Sequence, residues 1–94
     1  MIKHVVIWKF KENEEAAMRK FLDALESLRP IIPEIIEMET GVNFNPENDY
    51  DAILISKFES FEALERYKNH PEHIKASALC KEIRIDRKAI DFVC

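Results

Sequence analysis

The chain has 94 residues, of which 47% are apolar and 34% charged, and its formal net charge is −4 at pH 7. These values indicate one soluble globular domain over residues 1–94 and argue against disorder. Without a basic stripe the chain does not fit a nucleic-acid binder, and no apolar run approaches the ~20 residues that cross a membrane.

The N-terminus and the cysteines indicate the cellular compartment. Residues 1–4 lack the apolar region and cleavage site of a signal peptide. The two cysteines, Cys80 and Cys94, are too few for a disulfide framework. Since a reducing compartment keeps such thiols free, we expect a cytoplasmic protein.

A strand and a helix are predicted in the first third of the chain. Residues 2–10 alternate between two faces, and the side chains of one face are His4, Val6, Trp8 and Phe10. Residues 14–29 then follow a helical period, with Asn13 as the predicted N-cap. Pro30 and Pro33 are expected to end this helix.

Two more strands are predicted in the middle of the chain. The first covers about residues 35–44 and contains Gly41, the only glycine, which suggests a bulge or a close backbone approach. Residues 45–49 have the composition of a turn. Residues 50–58 alternate again and predict the third strand.

The last third of the chain predicts two helices and a strand. Ser60 is the expected cap of a helix over residues 61–69, whose buried side chains would be Phe61, Leu64 and Tyr67. His70 suits the N-cap of a further short helix over residues 71–80, which has a proline in its first turn. A fourth strand is predicted over residues 83–93.

The order β-α-β-β-α-β predicts an α+β, ferredoxin-like fold, a four-stranded antiparallel sheet with its helices on one face. On the other face an apolar centre would be exposed inside a lysine rim. The centre consists of Val5, Ile7, Ile53 and Ile55, and the rim of Lys3, Lys9 and Lys57. Because such a pattern is typical of an interface, we expect a homodimer that packs sheet against sheet.

Six segments together form a recognisable pattern. They are residues 2–11, Gly41-Val42-Asn43-Phe44, Tyr50-Asp51, Phe58-Glu59-Ser60, the Tyr67-x-x-His70-Pro71-x-His73 segment and Asp91-Phe92. This pattern resembles the stress-responsive A/B-barrel (Dabb) family over nearly the whole chain, and the histidine–proline–x–histidine segment is its most specific part. The resemblance implies a dimeric α+β barrel.

The resemblance also implies candidate activities. Many family members have no assigned reaction, and one branch is similar to polyketide cyclases that close a poly-β-keto chain by aldol condensation. In that branch the positions of Tyr67, His73 and His4 carry the chemistry. This chain differs from the cyclases on its third strand, where Ala52 stands at a position that can be histidine, and its pocket face also carries Trp8 and Arg87 or Arg84.

His73 is one candidate catalytic residue. Ser77 and Cys80 follow it at i+4 and i+7, so the three share a helix face. If that face meets the sheet, a neutral His73 could remove an acidic proton while the Tyr67 hydroxyl donates a hydrogen bond to an enolate oxygen. The alternative is a structural histidine that stabilises the short helix.

His4 and Asp91 form a second candidate group. The first and fourth strands are expected to be antiparallel neighbours, which brings Asp91 close to His4 and lets the carboxylate orient the imidazole. A structural pair that ties the chain ends together is the equal alternative. A register slip of one residue would send Asp91 to the opposite face.

An apolar ligand pocket is expected next to these polar groups. Its predicted lining is Trp8, Phe10, Phe21, Leu25, Leu54 and Phe58, although the same side chains could simply fill the core. No metal site is expected, because His70 and His73 have no third ligand at a suitable spacing. No cofactor is expected either, since a single glycine excludes the glycine-rich motifs.

Two functional hypotheses remain. The first is a dimeric barrel that binds a small, mostly apolar organic molecule and carries out cyclase- or lyase-type chemistry through His73, Tyr67, His4 and Asp91. The alternative is a non-catalytic structural or stress-associated homodimer. A heme- or flavin-dependent monooxygenase ranks last because no decisive motif supports it.

Overall fold

Four strands and three helices follow one another along the chain. In the computed structural model, which describes residues 1–94, they are β1 (Ile2–Phe10), α1 (Glu15–Glu26), β2 (Glu37–Val42), β3 (Ala52–Phe58), α2 (Phe61–Asn69), α3 (Pro71–Ile83) and β4 (Arg84–Val93). The strands form one sheet in the order β2-β3-β1-β4, and every neighbouring pair is antiparallel. This arrangement confirms the predicted ferredoxin-like α+β fold. None of the helices is long and apolar enough to cross a lipid bilayer.

The core lies between the helices and one face of the sheet. Side chains on β1 and β3 alternate between buried and half-buried positions, as the period-two pattern predicted. The buried side chains of these strands are His4, Val6, Trp8, Phe10, Ala52, Leu54, Ser56 and Phe58. Helix α1 covers them with an apolar stripe that includes Phe21 and Leu25, so burial of this stripe holds the helix on the sheet.

No element of the chain covers the other face of the sheet. This uncovered side is called here the open face. The apolar side chains at its centre are Val5, Ile7, Ile53, Ile55, Ile90 and Phe92. Ile90 on the edge strand β4 is 61% exposed, and it pairs with Val5 on the central strand β1. An exposed apolar surface of this kind is typical of an interaction site.

The start and end of α1 differ from the prediction. Glu14 rather than Asn13 holds the N-cap position, and it makes no side-chain capping bond. Asn13 instead adopts a left-handed backbone with φ of 65°, a conformation that asparagine tolerates better than most residues. The helix ends at Glu26 because the next turn tightens, with the Arg29 N–H donating to the Glu26 carbonyl.

The caps of the later helices agree with the prediction. The Ser60 hydroxyl accepts a hydrogen bond from the Ala63 N–H at 3.1 Å, and His70 Nδ1 accepts one from the Glu72 N–H at 3.1 Å. The predicted burial of Phe61 is wrong, since this side chain is 53% exposed. The nine-residue helix α2 has only about two turns, and it buries Ala63, Leu64 and Tyr67 instead.

Gly41 marks a close approach rather than a bulge. The pairing of β2 with β3 runs without interruption from Glu37–Lys57 to Val42–Ala52. A Cβ atom at Gly41 would lie 3.3 Å from Ile53 Cγ2, closer than most real Cβ contacts. Glycine at this position therefore leaves room for the Ile53 side chain.

Candidate functional site

His4 lies on the helix-facing side of β1 and pairs directly with Asp91 on β4. The imidazole is buried, and its Nδ1 lies 2.5 Å from Asp91 Oδ1. Burial lowers the pKa of His4 below its ordinary value, although the Asp91 bond and charge act in the opposite direction. In the neutral ring Nδ1–H donates to the carboxylate, so Nε2 remains free to accept a proton. The predicted proximity of Asp91 to His4 is confirmed.

His73 lies at the start of α3 and is oriented by the end of α2. Its Nδ1–H donates to the Lys68 carbonyl at 3.0 Å. That carbonyl is available because α2 ends at Asn69, which leaves its last carbonyls without helical donors. Since a carbonyl can only accept, the neutral ring must carry its proton on Nδ1 and leave Nε2 free. Burial lowers the pKa of His73, which favours this neutral form.

Tyr67 contacts His73 but has no polar partner of its own. The two ring centroids lie 4.5 Å apart, and Phe58 packs on the tyrosine ring at 5.0 Å. The residue is 0% exposed, and its hydroxyl makes no hydrogen bond. Burial raises the pKa of Tyr67, so the hydroxyl keeps its proton at neutral pH. A buried hydroxyl without a partner lowers the free energy of unfolding by about 1–3 kcal/mol. The Tyr67 hydroxyl is therefore a donor that an acceptor group could satisfy.

A small cavity of about 50 Å³ lies between the sheet and the helices α1 and α3. The polar side chains that line it are His4, His73, Ser77, Cys80, Arg84 and Arg87, and the apolar ones are Val6, Trp8, Phe21, Leu25 and Leu54. The predicted shared face of His73, Ser77 and Cys80 therefore meets the sheet. Sites for drug-sized molecules measure about 300–1,000 Å³, so this cavity accepts only a small group.

The structure brings together four of the six predicted ligand-binding residues. Phe10 and Phe58 do not line the cavity, contrary to the prediction. The register explains the difference, because Phe58 pairs with Ile2 and Phe10 pairs with Arg84, at the two ends of β1. The cavity lies over the middle of that strand. Phe58 packs on Tyr67, and Phe10 packs on Trp8 and Phe21.

The sequence analysis placed Arg87 or Arg84 on the pocket face, and the structure places both at the cavity. A strand period of two places residues three apart on opposite faces, so no sequence signal indicated that both reach one cavity. Tyr67 is a predicted site residue that does not line the cavity. Its ring contacts His73 instead.

Other concavities lack this chemistry. A depression of about 510 Å³ lies beside the end of β2, and its lining includes Ile7, Ile53 and Tyr50. It contains no histidine or cysteine, and its floor is part of the open face. No group of three or more histidine, cysteine, aspartate or glutamate side chains is close enough to hold a metal ion.

Comparison with known proteins identifies a family and a related cyclase. The family model described as Stress Responsive A/B Barrel Domain matches residues 2–94. Olivetolic acid cyclase from Cannabis sativa is 32% identical over 77 residues, which cover 78% of this chain and 76% of the cyclase.

Solved structures share the fold. A dimeric protein of ferredoxin-like fold from Bacteroides fragilis is 28% identical with a TM-score of 0.94, covering 99% of this chain and 95% of that chain. Hydroxynitrile lyase from Passiflora edulis is 14% identical with a TM-score of 0.87, covering 99% and 92%. At that identity the lyase shows the fold alone. Because the family model spans nearly every residue, this chain belongs to the stress responsive A/B barrel domain (Dabb) family.

Proposed function

We propose that the protein is a homodimer in which His4 and His73 carry out acid–base chemistry of the cyclase or lyase type on a small, mostly apolar organic molecule. The observation that carries this proposal is the cavity lined by two imidazoles, the buried ring of His4 and the half-buried ring of His73. Both rings use Nδ1–H for a fixed hydrogen bond and keep Nε2 for proton transfer.

The two histidines differ in a way that suits proton transfer. His73 has a neutral carbonyl as its partner, whereas His4 has a carboxylate that stabilises the imidazolium form. A neutral His73 is the base that removes a proton next to a carbonyl group. The Tyr67 ring packs against His73 and its hydroxyl has no hydrogen-bond partner, so an enolate oxygen that reaches this hydroxyl would accept a hydrogen bond from it.

The relatives support the class of chemistry without defining the substrate. Olivetolic acid cyclase is a cyclase by name and is 32% identical to this chain over 77 residues. The positions that resemble the cyclase branch are occupied here by Tyr67, His73 and His4, and these three lie in or directly beside the cavity.

The homodimer is proposed from the open face. Two copies that pack through this face would remove both apolar centres from water and leave the helix-side cavities free. The Bacteroides fragilis neighbour is described as a dimer, which supports this assembly. Sedimentation of the purified protein should give the mass of two chains, and a single-chain mass over the micromolar range would contradict it.

The small cavity volume favours a second candidate, a non-catalytic structural homodimer. About 50 Å³ is much less than a typical substrate site, and Phe58 and Tyr67 are completely buried. In this alternative the two histidines only join α3 and β4 to the rest of the fold.

Proton exchange separates the two candidates. A panel of small ketones in D₂O would be followed by ¹H NMR for loss of the protons next to the carbonyl. We expect the protein to accelerate exchange, and His73→Gln to reduce the acceleration by about 100-fold, as expected for loss of a general base.

The matched control is His70→Gln, which changes a histidine that caps α3 and does not line the cavity. It should leave the exchange rate unchanged once folding has been checked by circular dichroism. Equal rates for the wild-type protein and His73→Gln, or no acceleration across the panel, would favour the structural homodimer.

A further inference from the structure

An irregularity in β4 turns two arginines toward the same side of the sheet. Trp8 pairs with Arg87, but Phe10 pairs with Arg84, so two steps along β1 correspond to three steps along β4. The extra residue is a β-bulge. Trp8 and Phe10 both face the helices, and therefore both arginines do as well. Each of them lines the histidine cavity.

Neither guanidinium group has an acidic partner. The ion pairs and side-chain hydrogen bonds of the structure include no contact of the Arg84 or Arg87 guanidinium. The neighbouring carboxylates have other partners. Asp91 accepts from His4, and Asp86 accepts from the Tyr50 hydroxyl and from a backbone N–H. Two cations thus stand at the cavity without compensation.

A shallow outer cleft of about 570 Å³, widely open to solvent, adjoins the inner cavity. It is lined by Ser77, Lys81, Arg84, Ile85, Asp86 and Arg87, and it shares the serine and both arginines with the inner cavity. Three cationic side chains and one carboxylate therefore line the cleft. A molecule that is too large for the inner cavity could extend into this cleft past the arginines.

We infer that Arg84 and Arg87 bind an oxyanion, a carboxylate or a phosphate, on the molecule whose reactive part lies between His4 and His73. This inference rests on the proposed function of the cavity. The guanidinium fork matches the oxygens of both anions and forms paired charge-assisted hydrogen bonds with them. The ligand is therefore an organic anion with a short, mostly apolar reactive end.

Binding of an anion should also change the histidines. Burial is the main cause that lowers the pKa of His4 and His73, and the Arg87 charge lowers the pKa of both rings further. An anion that neutralises this charge should raise the pKa of both rings, and the two effects are linked reciprocally, so the anion binds more tightly when the rings are protonated. This gives a readout that does not depend on catalysis.

The test uses three small probes of similar shape. Butyrate and ethyl phosphate carry the two candidate anions, and butyramide is the neutral analogue. Affinity would be measured by calorimetry, and histidine pKa values by ¹H–¹⁵N NMR titration. We expect at least one anion to bind about tenfold more tightly than butyramide and to raise the pKa of His73, and the stronger of the two anions identifies the ligand class.

The variants Arg84→Gln and Arg87→Gln should each weaken anion binding about tenfold without changing the butyramide affinity. Arg19→Gln is the control, because Arg19 is exposed on α1 and does not line either space. Thermal unfolding would show that the variants are folded. Equal affinity for butyrate, ethyl phosphate and butyramide, or anion binding unaffected by either variant, would overturn the inference.

The two proposals fail in different ways. If the anions bind through the arginines but His73→Gln leaves ketone exchange unchanged, the anion site is supported and the acid–base function is contradicted. If exchange depends on His73 but the arginine variants bind anions as the wild-type protein does, the acid–base function stands and the anion site falls.

Discussion

The two faces of the sheet carry different kinds of side chain, although the same strands supply both. On the helix side, His4 and Trp8 of β1 face a cavity with titratable and cationic groups. On the open face, Val5 and Ile7 of the same strand present aliphatic surface with no chemistry of their own. Because successive side chains of a strand point to opposite faces, a substitution changes one face of the sheet and leaves the other unchanged. The same strand can therefore contribute to a cavity on one side and to an apolar surface on the other.

Burial also differs between the faces, and this affects how each can contribute to function. The three helices cover the helix side, and the resulting burial lowers the pKa of His4. The open face is half-exposed in the protomer, and a second copy would cover it in the proposed homodimer. The stabilisation from the helix-side core should therefore belong to each protomer. The stabilisation from covering the open face should depend on protein concentration, because it requires a second copy.

Deleting a core aromatic ring should give the largest effect. Phe58→Ala removes a completely buried ring between the sheet and Tyr67, and we expect a loss of about 3–5 kcal/mol in the free energy of unfolding. Urea unfolding at one fixed protein concentration measures this loss. Phe61→Ala is the matched control, since Phe61 is 53% exposed, and it should cost less than about 1 kcal/mol. Similar losses would contradict the assigned core.

A charge on the open face should separate the protomers. Ile55→Glu places a carboxylate at the centre of the proposed interface and opposite Glu39, its register partner on β2. We expect the dimer dissociation constant to rise by roughly 100-fold, or about 3 kcal/mol, because a buried unpaired charge is unfavourable. Sedimentation at several concentrations measures this constant.

The control for that substitution is Ile74→Glu, at an isoleucine that is 56% exposed on α3, away from the open face. It should leave the dimer intact. A dimer that tolerates Ile55→Glu would show that the protomers meet through another surface.

Removing the carboxylate beside His4 should affect the helix side only. Asp91→Asn replaces a charged acceptor by a neutral one, and we expect a loss of about 1–2 kcal/mol in the free energy of unfolding. The pKa of His4 should fall further, because Asp91 now raises it. NMR titration measures the pKa, and Asp23→Asn on the exposed side of α1 is the control. A dimer weakened by Asp91→Asn would break the separation of the two faces.

Mild acid should give the smallest effect. Burial lowers the folded-state pKa of His4 and His73 below the ordinary value of 6.5. Between the folded-state pKa and 6.5 the unfolded chain binds more protons than the folded chain does. The free energy of unfolding therefore falls as the pH falls through this window, and these histidines do not affect it above the window. Each histidine contributes a slope of at most about 1.4 kcal/mol per pH unit.

Urea unfolding between pH 7.5 and pH 5 would measure that slope, and the His73→Gln variant should show a shallower one. Stability that increases on acidification within this range would contradict the assignment of buried, neutral histidines.

Sequence reasoning reached most of the fold because the relevant signals are local. Alternation on β1 and β3 predicted which side chains face the helices, and Ser60 and His70 were recognised as caps. The pairing of Asp91 with His4 followed from the antiparallel order of the strands. The error at Asn13 is also local, since several polar residues near a helix start compete for the cap position.

The sequence by itself determined the element order, the two-faced sheet with its uncovered apolar surface, and the family. It also indicated the two histidines of the site, His4 on the sheet and His73 on a helix. Only the tertiary structure decided where the cavity lies and how small it is, that Phe10 and Phe58 are outside it, and that Arg84 and Arg87 lie on the same side. The physical reason is that periodicity depends on neighbouring residues, whereas a cavity depends on register, on a bulge and on the distances between elements that are far apart in the chain.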